Sequence, residues 1–212
     1  LDSAAWGVAR KFLSRRKALQ QSNSRKRNRK DRDKRRLVEI DKLLSASRPC
    51  LIVSTDGSSF GNNSSDPGPA GAGFAVFRLG DDTTPLSQNS VSLGNGTSYF
   101  AELSALDLAL DEVNRLDSSD IQVVFLVDNQ NAIKIAEGTT YPDCHTELGL
   151  RVWNKATSLA SRRKVRFEWI PGHAGHFLNE LADDLAKRGA AGVTSSVPLF
   201  SVVDEGGGGE GC

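Results

Sequence analysis

Two short apolar runs, residues 51–53 and 121–127, do most to decide what this chain can fold into. Neither alternates polar with apolar positions; such a strand has both faces covered, as interior strands do in a sheet with helices on its two sides. Each run ends on a carboxylate, the first at Asp56-Gly57 and the second at Asp128. Residues 71–79 and 86–93, separated by Gly80-Asp81-Asp82-Thr83-Thr84-Pro85, predict an antiparallel hairpin. Thr97 or Ser98 can cap a helix whose apolar stripe is Leu103, Leu106, Leu110 and Val113. Shorter helical patterns cover residues 129–136 and 146–160, and Val165, Phe167 and Trp169 alternate as a fifth strand stopped by Pro171-Gly172. Leu178, Leu181, Ala182, Leu185 and Ala186 mark a last amphipathic helix. The expected order is βββαβααβα: an α/β fold with a five-stranded mixed sheet and helices on both faces.

With 212 residues, 38% of them apolar and 25% charged, the chain holds one globular domain plus appendages. No apolar run approaches the roughly 18 to 20 residues of a membrane span, and residues 1–20 lack a signal peptide's apolar centre. The expectation is an intracellular protein without a membrane partner, with nucleus and cytoplasm undecided. The absence of any Met leads us to expect a piece of a larger product. The net charge of +1 conceals a division: residues 1–48 carry 16 Lys/Arg against 5 Asp/Glu, and residues 49–212 carry 11 against 21. We therefore divide the chain into a basic arm (1–48), a body (49–192) and a flexible Gly-rich tail (193–212). In the arm, Trp6, Ala9, Phe12 and Leu13, then Leu37, Ile40 and Leu44, flank a polar run and predict two short helices around a basic hinge. The run Arg25 to Arg36 fits nucleic-acid contact, a nuclear import signal or a solvated linker. Cys50, Cys144 and Cys212 are odd in number and lack CxxC spacing, which argues against a disulfide framework or a zinc site.

A right-handed crossover between the two apolar strands would make them parallel neighbours and bring Asp56 beside Asp128 at the strands' carboxyl ends, where open sheets of this kind bind ligands. Either Asp taken alone reads equally as a turn cap. Glu102 lies on the core-facing stripe, four residues before Leu106. A first-turn Glu gains about 0.3 to 1 kcal/mol from the helix dipole, which accounts for its position along the helix but not for its face. Three carboxylates converging in this way raise one another's pKa unless divalent cations neutralise them, and oxygen-only ligation favours Mg²⁺ or Mn²⁺.

Thr55-Asp56-Gly57-Ser58, Ala101-Glu102-Leu103, Val127-Asp128-Asn129-Gln130 and Pro171-Gly172-His173-Ala174-Gly175-His176, followed by Asn179-Glu180-Leu181-Ala182-Asp183, strongly resemble type 1 ribonuclease H over about residues 49–192. VFLVDNQNAI and WIPGHAGHFLNELADDLAKR look especially like the ribonuclease H domains of non-LTR retrotransposon polyproteins, so an upstream reverse transcriptase domain is an expected partner. The resemblance implies a ribonuclease H-like fold and an endonuclease that cleaves the RNA strand of RNA·DNA hybrids, leaving 3′-OH and 5′-phosphate. It implies that Asp56, Glu102, Asp128 and Asp183 hold two Mg²⁺ ions (Mn²⁺ substituting), Asp56 bridging them. One ion would activate the attacking water and the other stabilise the leaving 3′ oxygen. His173 matches the family's loop histidine, with Gly172, Ala174 and Gly175 giving it mobility. Gly57, Ser58, Ser98 and Gln130 match the positions that contact 2′-hydroxyls in the minor groove. Asp183 and Asp184 flank their helix's apolar stripe almost symmetrically; the family's spacing, ten residues after His173 and four after Asn179, favours Asp183. No role follows for His145 or His176. The loop at residues 60–70 looks longer than in compact bacterial members, and residues 128–173 look too short to include a basic handle. A proofreading exonuclease is disfavoured because Gly57-Ser58 follows Asp56 where that class has Asp-x-Glu. A catalytically silent nucleic-acid-binding or connection module is the remaining alternative, and the complete ligand set argues against it.

Overall fold

The computed structural model describes residues 26–46, 49–61, 66–79, 84–116 and 121–198. The chain divides into two compact units, residues 1–46 and 47–212. In the first, residues 26–46 form one continuous helix, α1. Among the described residues, the expected hinge is therefore absent. Lys and Arg are good helix formers, and ion pairs along the helix relieve their repulsion: Arg29 with Asp33 at 3.6 Å and Arg36 with Glu39 at 3.4 Å. The other expected arm helix, around Trp6 to Leu13, lies outside the described residues.

The second unit is an α/β sheet structure. Its elements are β1 (Cys50–Ser59), β2 (Gly68–Arg78), β3 (Ser87–Gly96), α2 (Ser98–Arg115), β4 (Gln122–Val127), α3 (Gln130–Ala136), α4 (Thr146–Ala160), β5 (Val165–Trp169), α5 (Phe177–Ala190) and β6 (Ser195–Pro198). The sheet order is β5-β4-β1-β2-β3-β6. The five expected strands form the mixed sheet: β1 is antiparallel to β2 and parallel to β4, and β4 is parallel to β5. A sixth strand departs from the expectation. Residues 195–198, assigned to the flexible tail, pair antiparallel with Ser87 to Ser90. They precede the Gly run, and Pro198 closes an edge strand where a missing N–H is tolerated. The rest of the tail lies outside the described residues.

One face of the sheet packs Leu51, Val53, Phe74, Val76, Val123, Phe125 and Val127 against α2, α3 and α4. Phe125 stacks on Phe167 with ring centroids 4.9 Å apart. The other face receives α5 through small residues. A Cβ at Gly73 would stand 2.4 Å from the Ala182 carbonyl oxygen, so the helix backbone lies directly on β2. At the end of β1, a Cβ at Gly57 would stand 2.1 Å from the Glu102 backbone nitrogen. Only glycine lets the first turn of α2 come this close, and that approach carries Glu102 to the end of the strand. Thr97 caps the helix by accepting a hydrogen bond from the Phe100 N–H at 3.1 Å.

Candidate active site

The parallel register of β1 and β4 ends at Thr55 opposite Val127, so the next residues, Asp56 and Asp128, emerge side by side. Glu102 joins them from α2. Ligand oxygens of Asp56, Glu102 and Asp128 lie within 4.8 Å of one another. Asp183 comes from α5 on the opposite face of the sheet and lies against Asp56, as Glu102 lies against Asp128. The four side chains thus form two carboxyl pairs delivered by four separate elements. Asp183 is only 5% exposed and its neighbour Asp184 is exposed, which separates two residues that helical periodicity left equivalent.

The electrostatics are those of a site built for positive charge. Burial, and then the Asp128 and Asp183 carboxylates, push the Asp56 pKa up to about 8. Glu102 is raised well above the ordinary carboxylate range, first by burial and then by Asp56 and Asp128. Asp128 is also raised by burial, with Glu102's hydrogen bond and His173 acting the other way. The Glu102 Oε2 atom is buried with no hydrogen-bond partner among the described residues. A buried, unsatisfied carboxylate oxygen among three more carboxylates is costly without a cation. The donor set, all oxygen, fits Mg²⁺ or Mn²⁺.

The rim carries the loop histidine. Ile170 N–H bonds to the Val127 carbonyl at 3.1 Å and the Trp169 indole N–H to the Asp128 carbonyl at 3.0 Å, so the chain leaving β5 is fastened over Asp128. A Cβ at Gly172 would stand 2.4 Å from Asp128 Oδ2, so this glycine serves close approach besides any mobility. His173 follows in a left-handed conformation (φ 53°) with its side chain 71% exposed and Nδ1 3.6 Å from Asp183 Oδ2. Gly57 and Ser58 end β1, Ser98 opens α2 four residues before Glu102, and Gln130 opens α3 two residues after Asp128. All four lie on the rim that carries the carboxylates. Ser98 and Gln130 are exposed there, and Gly57 and Ser58 are half-buried.

Sequence reasoning missed several neighbours. Lys187 Nζ lies 2.5 Å from Asp183 Oδ2, which holds the lysine pKa above its ordinary value. Its signal was its i+4 spacing from Asp183 on an acidic helix face. Glu180 groups with His173 and Asp183 within 4.8 Å and accepts a hydrogen bond from the Gly175 N–H. Asn179, one turn before Asp183, is 1% exposed and neither of its amide atoms has a partner among the described residues. Of the unassigned histidines, His145 sits at the start of α4 with φ 51° against the Tyr99 and Phe100 rings, and His176 precedes α5.

Comparison with known proteins gives one consistent result. A family model described as RNase H matches residues 48–191. The ribonuclease H of Jannaschia sp. is 34% identical over 155 residues, covering 68% of this chain and 92% of the relative. The bifunctional protein Rv2228c of Mycobacterium tuberculosis is 29% identical over 154 residues, 72% of this chain but 40% of the relative, so the chain spans well under half of that protein. Its N-terminal RNase H domain, solved as a fusion with maltose-binding protein, superposes with a TM-score of 0.54 at 28% identity, covering 68% of this chain and 96% of the solved one. RNase H1 from the halophilic archaeon Halobacterium salinarum gives a TM-score of 0.51 at 26% identity, covering 67% and 98%.

Proposed function

The chain belongs to the RNase H family, and on that premise we propose that it is an endonuclease that hydrolyses the RNA strand of RNA·DNA hybrids, leaving 3′-OH and 5′-phosphate. The observation that carries this reading is the convergence of Asp56, Glu102, Asp128 and Asp183 from four elements, with an unsatisfied Glu102 oxygen among them.

Asp56, Glu102, Asp128 and Asp183 are the residues that would hold two Mg²⁺ ions. The chemistry such ions would supply is a lowered pKa for the attacking water and stabilisation of charge on the leaving 3′ oxygen. The chain's own residues do the rest. The tight seating of Gly57 on α2 fixes Glu102 relative to Asp56, and the Trp169 and Ile170 bonds fix the backbone around Asp128. His173, exposed on its turn beside Asp183, is placed to take or release a proton at the rim and to move as product leaves. The Ser58 and Ser98 hydroxyls, the Gln130 amide and the backbone at Gly57 line a rim suited to reading 2′-hydroxyls, the groups that distinguish RNA from DNA. The similarity of VFLVDNQNAI and WIPGHAGHFLNELADDLAKR to retrotransposon domains supports a reverse transcriptase polyprotein as the origin; the matching relatives described above are bacterial and archaeal, so that origin rests on those two segments alone.

The test is a substrate panel of equal length: labelled hybrid, duplex DNA and duplex RNA, each with Mg²⁺ and with EDTA. Mg²⁺-dependent loss of the RNA strand of the hybrid alone is expected. No cleavage of any substrate at high enzyme would favour a silent binding module.

A further inference from the structure

The helix α1 carries nine Lys/Arg against four Asp/Glu. Arg29 and Arg32 pair with Asp33, and Arg36 pairs with Glu39. Lys26, Arg27, Lys30 and Lys34 are exposed and make no ion pair or hydrogen bond among the described residues. At about 100° per residue these four occupy one sector of roughly 100°, with Lys26, Lys30 and Lys34 in a row at i, i+4 and i+8. The paired arginines occupy a separate sector.

Three lysines in such a row stand about 6 Å apart along the axis, close to the rise of two nucleotides of a duplex strand. Cations that make no ion pair stay available to phosphate. The catalytic unit has the opposite need: residues 49–212 carry 11 Lys/Arg against 21 Asp/Glu, so its net charge repels the polyanion it would cut.

We propose that Lys26, Arg27, Lys30 and Lys34 form a phosphate-contacting stripe that supplies the non-sequence-specific affinity for RNA·DNA hybrid that the acidic catalytic unit lacks. This rests on the hybrid-cleavage reading above. Joined in one chain, the two units then act at high effective concentration on one duplex.

The test measures affinity of the full chain for a 20-base-pair hybrid and a 20-base-pair DNA duplex across a salt series in EDTA. Two variants with similar loss of charge are compared with the parent: Lys26→Gln/Arg27→Gln/Lys30→Gln/Lys34→Gln, and Arg29→Gln/Arg32→Gln/Arg36→Gln. Each phosphate contact contributes about 0.9 to the log–log salt slope on duplex DNA. The stripe variant should lose about 3 to 4 from that slope and on the order of a hundredfold in affinity at physiological salt, for both nucleic acids. The arginine variant should keep most of the parent slope. Equal losses in the two variants, or no loss in either, would overturn the stripe; circular dichroism of both variants guards against simple unfolding of the helix. Cleavage by the parent with Mg²⁺ is scored separately, so failure of the stripe and failure of the catalytic reading give different results.

Discussion

Asp128 is the carboxylate whose removal tests the cluster most cleanly, because an amide keeps the shape of the side chain beside Glu102 while deleting one like charge. Asp128→Asn is expected to abolish hybrid cleavage, to leave the fold intact or slightly more stable in metal-free buffer, and to lose the Mg²⁺-induced rise in melting temperature expected of the parent. Calorimetric melting with and without Mg²⁺ checks this; a mutant that Mg²⁺ stabilises as much as the parent would remove Asp128 from the ligand set. Asp183 and Asp184 differ by burial, so Asp183→Asn should cripple Mg²⁺-supported activity whereas Asp184→Asn should change stability by no more than about 0.5 kcal/mol and leave turnover near the parent value. Equal losses of turnover would contradict the assignment. Lys187 holds the Asp183 oxygen that a cation would take. The lysine is half-exposed, so Lys187→Gln should cost about 1 kcal/mol at most, while lowering the Mg²⁺ concentration that half-saturates thermal stabilisation. An unchanged or higher half-saturation point would show that Lys187 does not compete with the ion.

At the scale of elements, the apolar strands and the stripe of α2 were legible because their patterns are long and regular. Leu103, Leu106, Leu110 and Val113 are all 0% exposed, as their spacing predicted. The meeting of Asp56 with Asp128 was legible through a handedness rule, and Glu102 through its face on the helix. Three features were not. The continuity of α1 was hidden because a run of like charges reads as a solvated linker until the Arg29–Asp33 and Arg36–Glu39 pairs are placed in space. Strand β6 is four residues long and takes its register from β3, a partner more than a hundred residues away. Lys187 has no motif of its own and gains significance only from its spacing about Asp183, and Asn179 stood in a motif that showed its spacing but not its burial. Glycine roles were likewise hidden, since close approach leaves no periodicity. Gly73→Ala should therefore destabilise by roughly 1 to 3 kcal/mol through overpacking against the α5 backbone. Denaturant unfolding measures it, and a neutral effect would mean that α5 does not lie directly on the strand.

For the catalytic unit as a whole, the clustered carboxylates make stability depend on pH in a sense opposite to that of salt-bridged proteins. The Asp56 pKa is raised from 3.8 to about 8, and Glu102 and Asp128 are raised as well. A carboxyl that holds its proton more tightly in the folded state contributes stability that is fully present below its unfolded pKa and is lost as pH rises through the folded value. Metal-free protein should accordingly lose stability between about pH 4 and pH 8, by an amount on the order of a few kcal/mol, and saturating Mg²⁺ should flatten that decline. The central claim is that these carboxylates make the chain a hybrid-specific ribonuclease, and it is tested most directly by resolving both strands of a labelled RNA·DNA hybrid after incubation with the full chain and Mg²⁺. The account predicts internal cuts in the RNA strand carrying 3′-OH and 5′-phosphate ends, an intact DNA strand, and no cutting by the Asp128→Asn protein; cutting of the DNA strand, or undiminished cutting by the Asp128→Asn protein, would contradict it.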